Sequence, residues 1–379
     1  MPRVLHIVES LDRGAVENWL LRMLRHAVAR GQAPDWTFYC ALCRPGEKEA
    51  EARALGARVV HSPVPLRQKL GFARALRAEL ARGAHDVLHC HHDLVSALYL
   101  VAAARMPLAL RIVHAHNADQ VVPSGSAARR ALLREPMRHT CLRLADRVVG
   151  ISHHTLDTLL GGRARRPGRD QVHYYGVDPT RIARARGDRA GLRAEFGFPP
   201  DARVLLFLAR MVPEKNPMFA LEVFARLAAL EPRAVVLFVG AGSESGAVAD
   251  RARDMGLDSR VRLAGWRDDG GEIMAASDWF ILARPEAPME GFGVAVVEAQ
   301  LAGLHLLLSR GIPDDPLLPG ASFRRLALAA GPEAWAQAAL ELARSGAPSR
   351  DAAIAALAAS PMDMDFALQD LWRLHEARA

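Results

Sequence analysis

The chain has 379 residues, of which 50% are hydrophobic and 24% charged, too long for one ordinary core and too apolar for a disordered or fibrous protein. Its 49 basic and 42 acidic residues give a net charge of +7. They are unevenly spread, with 30 basic and 17 acidic residues up to position 190 against 19 and 25 beyond it, so the first half suits an anionic partner.

In chain order, Met1 to Ser10 enter a strand-like pattern without the apolar core of a signal peptide, and no run reaches the roughly 20 apolar residues of a spanning helix. The expected location is cytoplasmic, including the inner face of the cytoplasmic membrane. Strand-like runs follow at Val4–Glu9, Trp36–Cys43, Arg58–His61, Asp86–His91, Ala109–His114 and Arg147–Ile151, then at Val204–Leu208, Ala234–Val239, Arg260–Ala264, Trp279–Ala283 and His305–Leu308. Helix-length amphipathic segments alternate with them, which predicts an α/β protein of two doubly wound, Rossmann-like parallel-sheet domains. The Arg-, Gly- and Pro-rich stretch Val177–Pro200 reads as the connection. The expected domains are residues 1–180, residues 181–360 and a C-terminal helix, 361–379, packing back on the first, with a ligand cleft between the two sheets.

Arg129, Arg130, Arg134, Arg138, Arg143 and Arg147, then Arg163, Arg165, Arg166 and Arg169, make the first half a candidate surface for anionic lipid or a phosphorylated acceptor, or simply a solvated face. No aromatic platform or zinc finger points to nucleic acid. Cys40, Cys43, Cys90 and Cys141 are too few for a disulfide scaffold and read as reduced, mostly buried thiols. Cys40 and Cys43, with the run His89-Cys90-His91-His92, bind metal only if folding joins them. Asp363-Met-Asp365 has the form of a metal-holding motif, but before a C-terminal helix an Asp is a natural N-cap.

Two stretches carry the chemistry. In Phe207-Leu-Ala-Arg210-Met-Val-Pro-Glu-Lys215-Asn-Pro217, two cations follow a strand and precede a helix, where they can neutralise a diphosphate leaving group. Lys215 stands out because 46 of the 49 basic residues are Arg. In Glu290-Gly-Phe-Gly-Val-Ala-Val-Val-Glu298, Gly291, Phe292 and Gly293 open a helix whose free N–H groups favour a phosphate. Glu290 lies before that helix and Glu298 within it, where its carboxylate can accept hydrogen bonds from vicinal hydroxyls.

These stretches, in this order, resemble glycosyltransferase family 4, retaining enzymes of the GT-B fold, and most closely its bacterial exopolysaccharide and capsular-polysaccharide members. Val239-Gly240-Ala-Gly242, Tyr175-Gly-Val-Asp178, the opening Leu5 to Asn18 and Val113-His-Ala-His-Asn117 also match. The resemblance implies a hexosyltransferase whose donor is a nucleotide diphosphate sugar, UDP- or GDP-linked, and whose acceptor is a glycan or lipid-linked hydroxyl, with no metal and no other cofactor. It implies that Arg210 and Lys215 bind the diphosphate, that Glu290 faces the donor sugar and Glu298 the ribose, and that Gly14 lies beside the phosphates. His116, or alternatively His114, stands near the reacting sugar. Gly265-Trp266-Arg267 are candidates for base selectivity. The family has two glycines where this chain has Gly14-Ala15. A nucleotide-sugar 2-epimerase of the same architecture and a catalytically silent nucleotide-binding subunit are the alternatives.

Overall fold

The computed structural model describes residues 1–12, 14–119, 126–180, 182 and 188–376. Arg13 of the opening motif, positions 181 and 183–187 of the expected connection and 377–379 of the last helix lie outside them. The chain divides into two compact units, Met1–Gly176 with Pro361–Ala379, and Val177–Ser360.

The first unit runs β1 (Val4–Val8), α1 (Ala15–Ala29), β2 (Trp36–Cys40), α2 (Glu49–Ala54), β3 (Arg58–His61), α3 (Lys69–Gly83), β4 (Val87–Cys90), α4 (Ser96–Ala103), β5 (Leu110–Ala115), α5 (Ala127–Leu144), β6 (Arg147–Gly150), α6 (His153–Leu160) and β7 (Asp170–Val172). The second runs α7 (Arg189–Glu195), β8 (Arg203–Leu208), α8 (Pro217–Leu230), β9 (Ala234–Val239), α9 (Ser245–Asp254), β10 (Val261–Gly265), α10 (Gly270–Ala275), β11 (Trp279–Leu282), α11 (Val294–Leu301), β12 (His305–Ser309), β13 (Phe323–Leu326), α12 (Gly331–Arg344) and α13 (Arg350–Ala358). The final helix, α14 (Met364–His375), belongs to the first unit.

Both sheets are wholly parallel, in the orders β3-β2-β1-β4-β5-β6-β7 and β10-β9-β8-β11-β12-β13. Each is doubly wound, and the strand order reverses between β1 and β4 and between β8 and β11. Such a reversal splays the following loops apart and opens a crevice at the carboxyl ends of the strands. The expectation of two doubly wound sheets therefore holds. Two short edge strands, β7 and β13, and the helix α7 inside the expected connection are additions. β7 and β13 span only three and four residues, too short for a period-two pattern to stand out.

Alternation along the first sheet separates two faces. Leu5, Ile7, Leu88, Cys90, Val113 and Val148 join the apolar core under α3 to α6. His6, His89, His91 and His114 occupy intervening positions, fully or almost fully buried, and His375 reaches them from α14. That helix is fastened to α1 by a hydrogen bond between His26 Nε2 and Asp365 Oδ1 at 2.7 Å. In the second unit Phe207, Phe224, Phe238, Trp279 and Trp335 are each fully buried in one core, and burying each aromatic stabilises the unit by about 1.5–3 kcal/mol. No helix among the described residues is long and apolar enough to cross a membrane.

Candidate active site

In the second unit the loops after β8, β9 and β11 meet at the strand-order reversal. Gly240 follows β9 with φ 135°, and a Cβ there would lie 2.0 Å from the carbonyl oxygen of Ala209. One at Gly242 would lie 2.2 Å from that of Met211. The bare backbone of Gly240 and Gly242 thus lets the β9 loop support the loop that carries Arg210, and Met211 N–H donates to Ala241 O at 3.0 Å. Gly240→Ala is expected to destabilise the protein by about 1–3 kcal/mol, read as a lower urea midpoint with an unchanged m-value.

Lys215 ends a short 3-10 turn, Pro213–Lys215. Asn216 takes a left-handed conformation, φ 54°, and its Nδ2 donates to Ala283 O at 3.1 Å, tying the β8 loop to the end of β11. This brings the Lys215 ammonium against the Glu290 carboxylate as an ion pair. Arg284 also faces that carboxylate, at 3.4 Å, and is held by a bond from its Nε to Pro288 O at 2.9 Å. Burial alone would push the Glu290 carboxyl up, but Lys215 and Arg284, with Arg210 further off, outweigh it and hold it below its ordinary value. Three cations around one anion leave net positive charge at the mouth of α11, complementary to a diphosphate.

Gly293 caps α11 with φ 93° and no side-chain cap, and a Cβ on it would lie 3.6 Å from Glu290 Cγ. Gly291 is half-buried. The Phe292 ring is in the core, so this residue offers a ligand its backbone only. Glu298 lies half-buried on α11, between the buried Val297 and Ala299. Trp266, just beyond β10 at the carboxyl end of the sheet, is 51% exposed and donates from Nε1 to Asp268 Oδ1 at 3.3 Å. Arg267 is engaged with Glu195 at 2.5 Å and Asp269 at 2.7 Å, which raise its pKa. Arg284 escaped sequence reading because arginine is so common here; its place at the end of a central strand was the available signal.

In the first unit, Gly14 caps α1 with an ordinary extended φ of −71°. Its missing side chain makes room for Glu17, whose Oε2 would lie 2.0 Å from a Cβ. Burial pushes the Glu17 carboxyl up to about 7. His114 lies within β5 and His116 just past its end. Both His116 nitrogens are engaged, Nδ1 with the Tyr175 hydroxyl at 2.7 Å and Nε2 with His91 at 3.0 Å. Burial lowers the pKa of both histidines, to about 3 for His116. Asp93, not singled out from the sequence, clamps this loop: its Oδ1 accepts from His116 N–H at 2.7 Å and its Oδ2 from Asn117 Nδ2 at 2.7 Å. Burial pushes the Asp93 carboxyl up to about 6.

The other sequence candidates have structural partners. Asp363 caps α14, accepting from Asp365 N–H at 2.9 Å, and Asp365 pairs with His26 and Arg30. Cys40, Cys43, Cys90 and Cys141 are free thiols, and Cys43 alone of them is exposed. Among the described residues no group with ligand-like spacing joins Cys40 or Cys43 to the His89–His92 run. The arginine stripe is only partly available. Arg138 is buried, with Nε donating to Leu159 O at 3.0 Å, and Arg147 is a strand residue donating to Glu376 O at 2.7 Å. Arg143, Arg163, Arg166 and Arg169 instead line a concavity of about 670 Å³ at the amino ends of β6 and β7.

The family model for glycosyl transferases group 1 matches residues 188–344, and that for Glycosyltransferase Family 4 matches residues 16–181. The chain is 25% identical over 353 residues to EpsF of Bacillus subtilis (strain 168), classed as a glycosyltransferase, covering 92% of this chain and 90% of that one. It is 33% identical over 256 residues to the D-inositol 3-phosphate glycosyltransferase of Mycolicibacterium gilvum (strain PYR-GCK), covering 64% of this chain and 55% of that one. Among solved structures, Anabaena Alr3699/HepE in complex with UDP superposes with a TM-score of 0.78 at 16% identity, over 98% of this chain and 99% of that one. The apo form of the lipopolysaccharide outer core galactosyltransferase WaaB superposes with a TM-score of 0.71 at 14% identity, over 98% of each chain; identities this low speak for the fold alone. With a family 4 half and a group 1 half, each on its own Rossmann-like sheet of the GT-B kind, the chain belongs to the family 4 glycosyltransferases and is a glycosyl-transferring enzyme.

Proposed function

We propose that this glycosyltransferase moves a sugar, with retention, from a nucleotide diphosphate sugar to a hydroxyl of a glycan or lipid-linked acceptor in the building of a cell-surface polysaccharide or glycolipid. The observation that carries the reading is the convergence of Arg210, Lys215 and Glu290 with the α11 start at the β8/β11 reversal. Arg210, Lys215 and the α11 amides stabilise the charge that grows on the diphosphate as its bond to the anomeric carbon breaks. Glu298 holds the ribose hydroxyls, and Glu290 with the backbone of 291–293 orients the sugar. The leaving phosphate takes the acceptor's proton on the face it departs from, so the new bond forms there and no protein nucleophile is needed. The side-chain cations and the helix start neutralise the diphosphate, and no metal is required there.

His116, at the end of β5, is the histidine assigned to the sugar, and His114, inside the strand, is not. A UDP donor is favoured by the solved HepE complexes with UDP and UDP-glucose. The exposed arginines around the first-unit concavity suit an anionic membrane surface.

Thermal unfolding with UDP, GDP, ADP and TDP tests the donor site. A ligand at 100 times its dissociation constant adds about 2.7 kcal/mol, so one nucleotide is expected to raise the midpoint clearly. A flat response to all four contradicts the site.

A further inference from the structure

The first unit buries a cluster of imidazoles of which the proposed reaction uses His116 alone. His89 Nδ1 meets His375 Nε2 at 3.0 Å and His89 Nε2 meets His114 Nδ1 at 3.2 Å. His6 Nδ1 meets His91 Nε2 at 3.0 Å, and His91 Nδ1 meets His116 Nε2 at 3.0 Å. These contacts run ring to ring. A neutral imidazole has one N–H and one lone pair, so a head-to-tail string is matched inside and open at its ends unless another group closes it, as the Tyr175 hydroxyl does at His116 Nδ1. Those ends are present: His6 Nε2, His375 Nδ1 and His114 Nε2 are buried without a hydrogen-bond partner. Buried polar atoms left so by the protein need a partner.

His6 on β1, His89 on β4 and His375 on α14 each bring one ring nitrogen to within 4.8 Å of the other two. Two ligands on one tetrahedral zinc lie about 3.4 Å apart, from a Zn–N bond of about 2.0–2.1 Å, so small shifts of three rings would seat an ion. We propose that His6, His89 and His375 bind one zinc-class divalent transition-metal ion, preferred by imidazole ligands, which clips α14 to the sheet. The site is structural and separate from the donor residues of the second unit.

The test uses the full chain, purified without a polyhistidine tag or immobilised metal and reconstituted with Zn²⁺ or Co²⁺ before gel filtration. About one ion per chain is expected to stay bound, the Co²⁺ form should show the intense visible bands of a four-coordinate site, and chelation should speed hydrogen exchange in 364–375. His6→Gln and His375→Gln should lose the ion yet keep the nucleotide-induced thermal shift. Cys40→Ser should retain it, although Cys40, Glu49 and His61 form another group with ligand-like spacing, as do His89, His91 and His114. A wild-type chain that retains no ion, or an ion lost in Cys40→Ser and kept in His375→Gln, overturns the proposal.

Discussion

Lys215→Ala is expected to lower turnover about 10²–10³-fold, a loss of about 2.7–4 kcal/mol of transition-state stabilisation, with a folded protein. Lys215 ends a short turn and belongs to neither apolar core, so its removal leaves both cores packed. Its ammonium pairs with Glu290; a departing diphosphate competes for it and gains most when its charge is greatest. The loss should therefore fall on kcat more than on KM. Truncation also leaves Glu290 facing Arg284 as its nearest cation, so its pKa rises. Glu290→Gln in the same background should restore part of the stability but not the rate. Glu298→Ala is expected to cost a comparable factor. Steady-state kinetics with circular dichroism spectra as the fold control checks both, and near-normal turnover in both variants contradicts the assignment.

Acid is expected to unfold the first unit steeply just below pH 6.5. His6, His89, His91, His92, His114, His116 and His375 are all lowered from 6.5 by burial, to about 4 for His92 and about 3 for His116 and His375. The unfolded chain binds their protons as pH falls through 6.5 and the folded chain does not. Their contribution is therefore complete above 6.5 and is lost below it, by about 1.4 kcal/mol per pH unit for each histidine that stays neutral in the fold. Glu17 and Asp93, raised to about 7 and about 6, oppose this by taking protons in the folded state, but they are two against seven. A stability of about 5–15 kcal/mol is exhausted within one to three pH units on such a slope. Urea titrations at steps from pH 7.5 to 5 should show the midpoint falling steeply below 6.5. A flat or rising midpoint contradicts neutral burial of the cluster.

The alternation of apolar runs with amphipathic segments made the two doubly wound sheets legible, because parallel strands covered on both faces are mostly apolar. The β8 and β11 loops were legible for a different reason: a rare lysine among arginines, and a glycine pair opening a helix between two glutamates. What the sequence hid is whatever depends on register between distant strands. The spacings His89-x-His91 and His114-x-His116 predict one face each, but not that His6 and His375 meet them. Arg284 pairs with Glu290 across a loop whose path follows from Gly311, where a Cβ would lie 2.2 Å from Pro285 O, and no local pattern announces that. Lys215 illustrates the limit, since its neighbour Glu214 was the obvious partner in sequence and the fold chose Glu290.

Proton NMR of the sugar formed in the first minutes from an α-configured nucleotide sugar, whose base the thermal shifts identify, tests the central claim most directly. The account predicts release of nucleoside diphosphate with the transferred or hydrolysed sugar appearing first as the α anomer, and almost none of either with Lys215→Ala. A β anomer appearing first, or an epimerised sugar still joined to its nucleotide, would contradict retaining transfer.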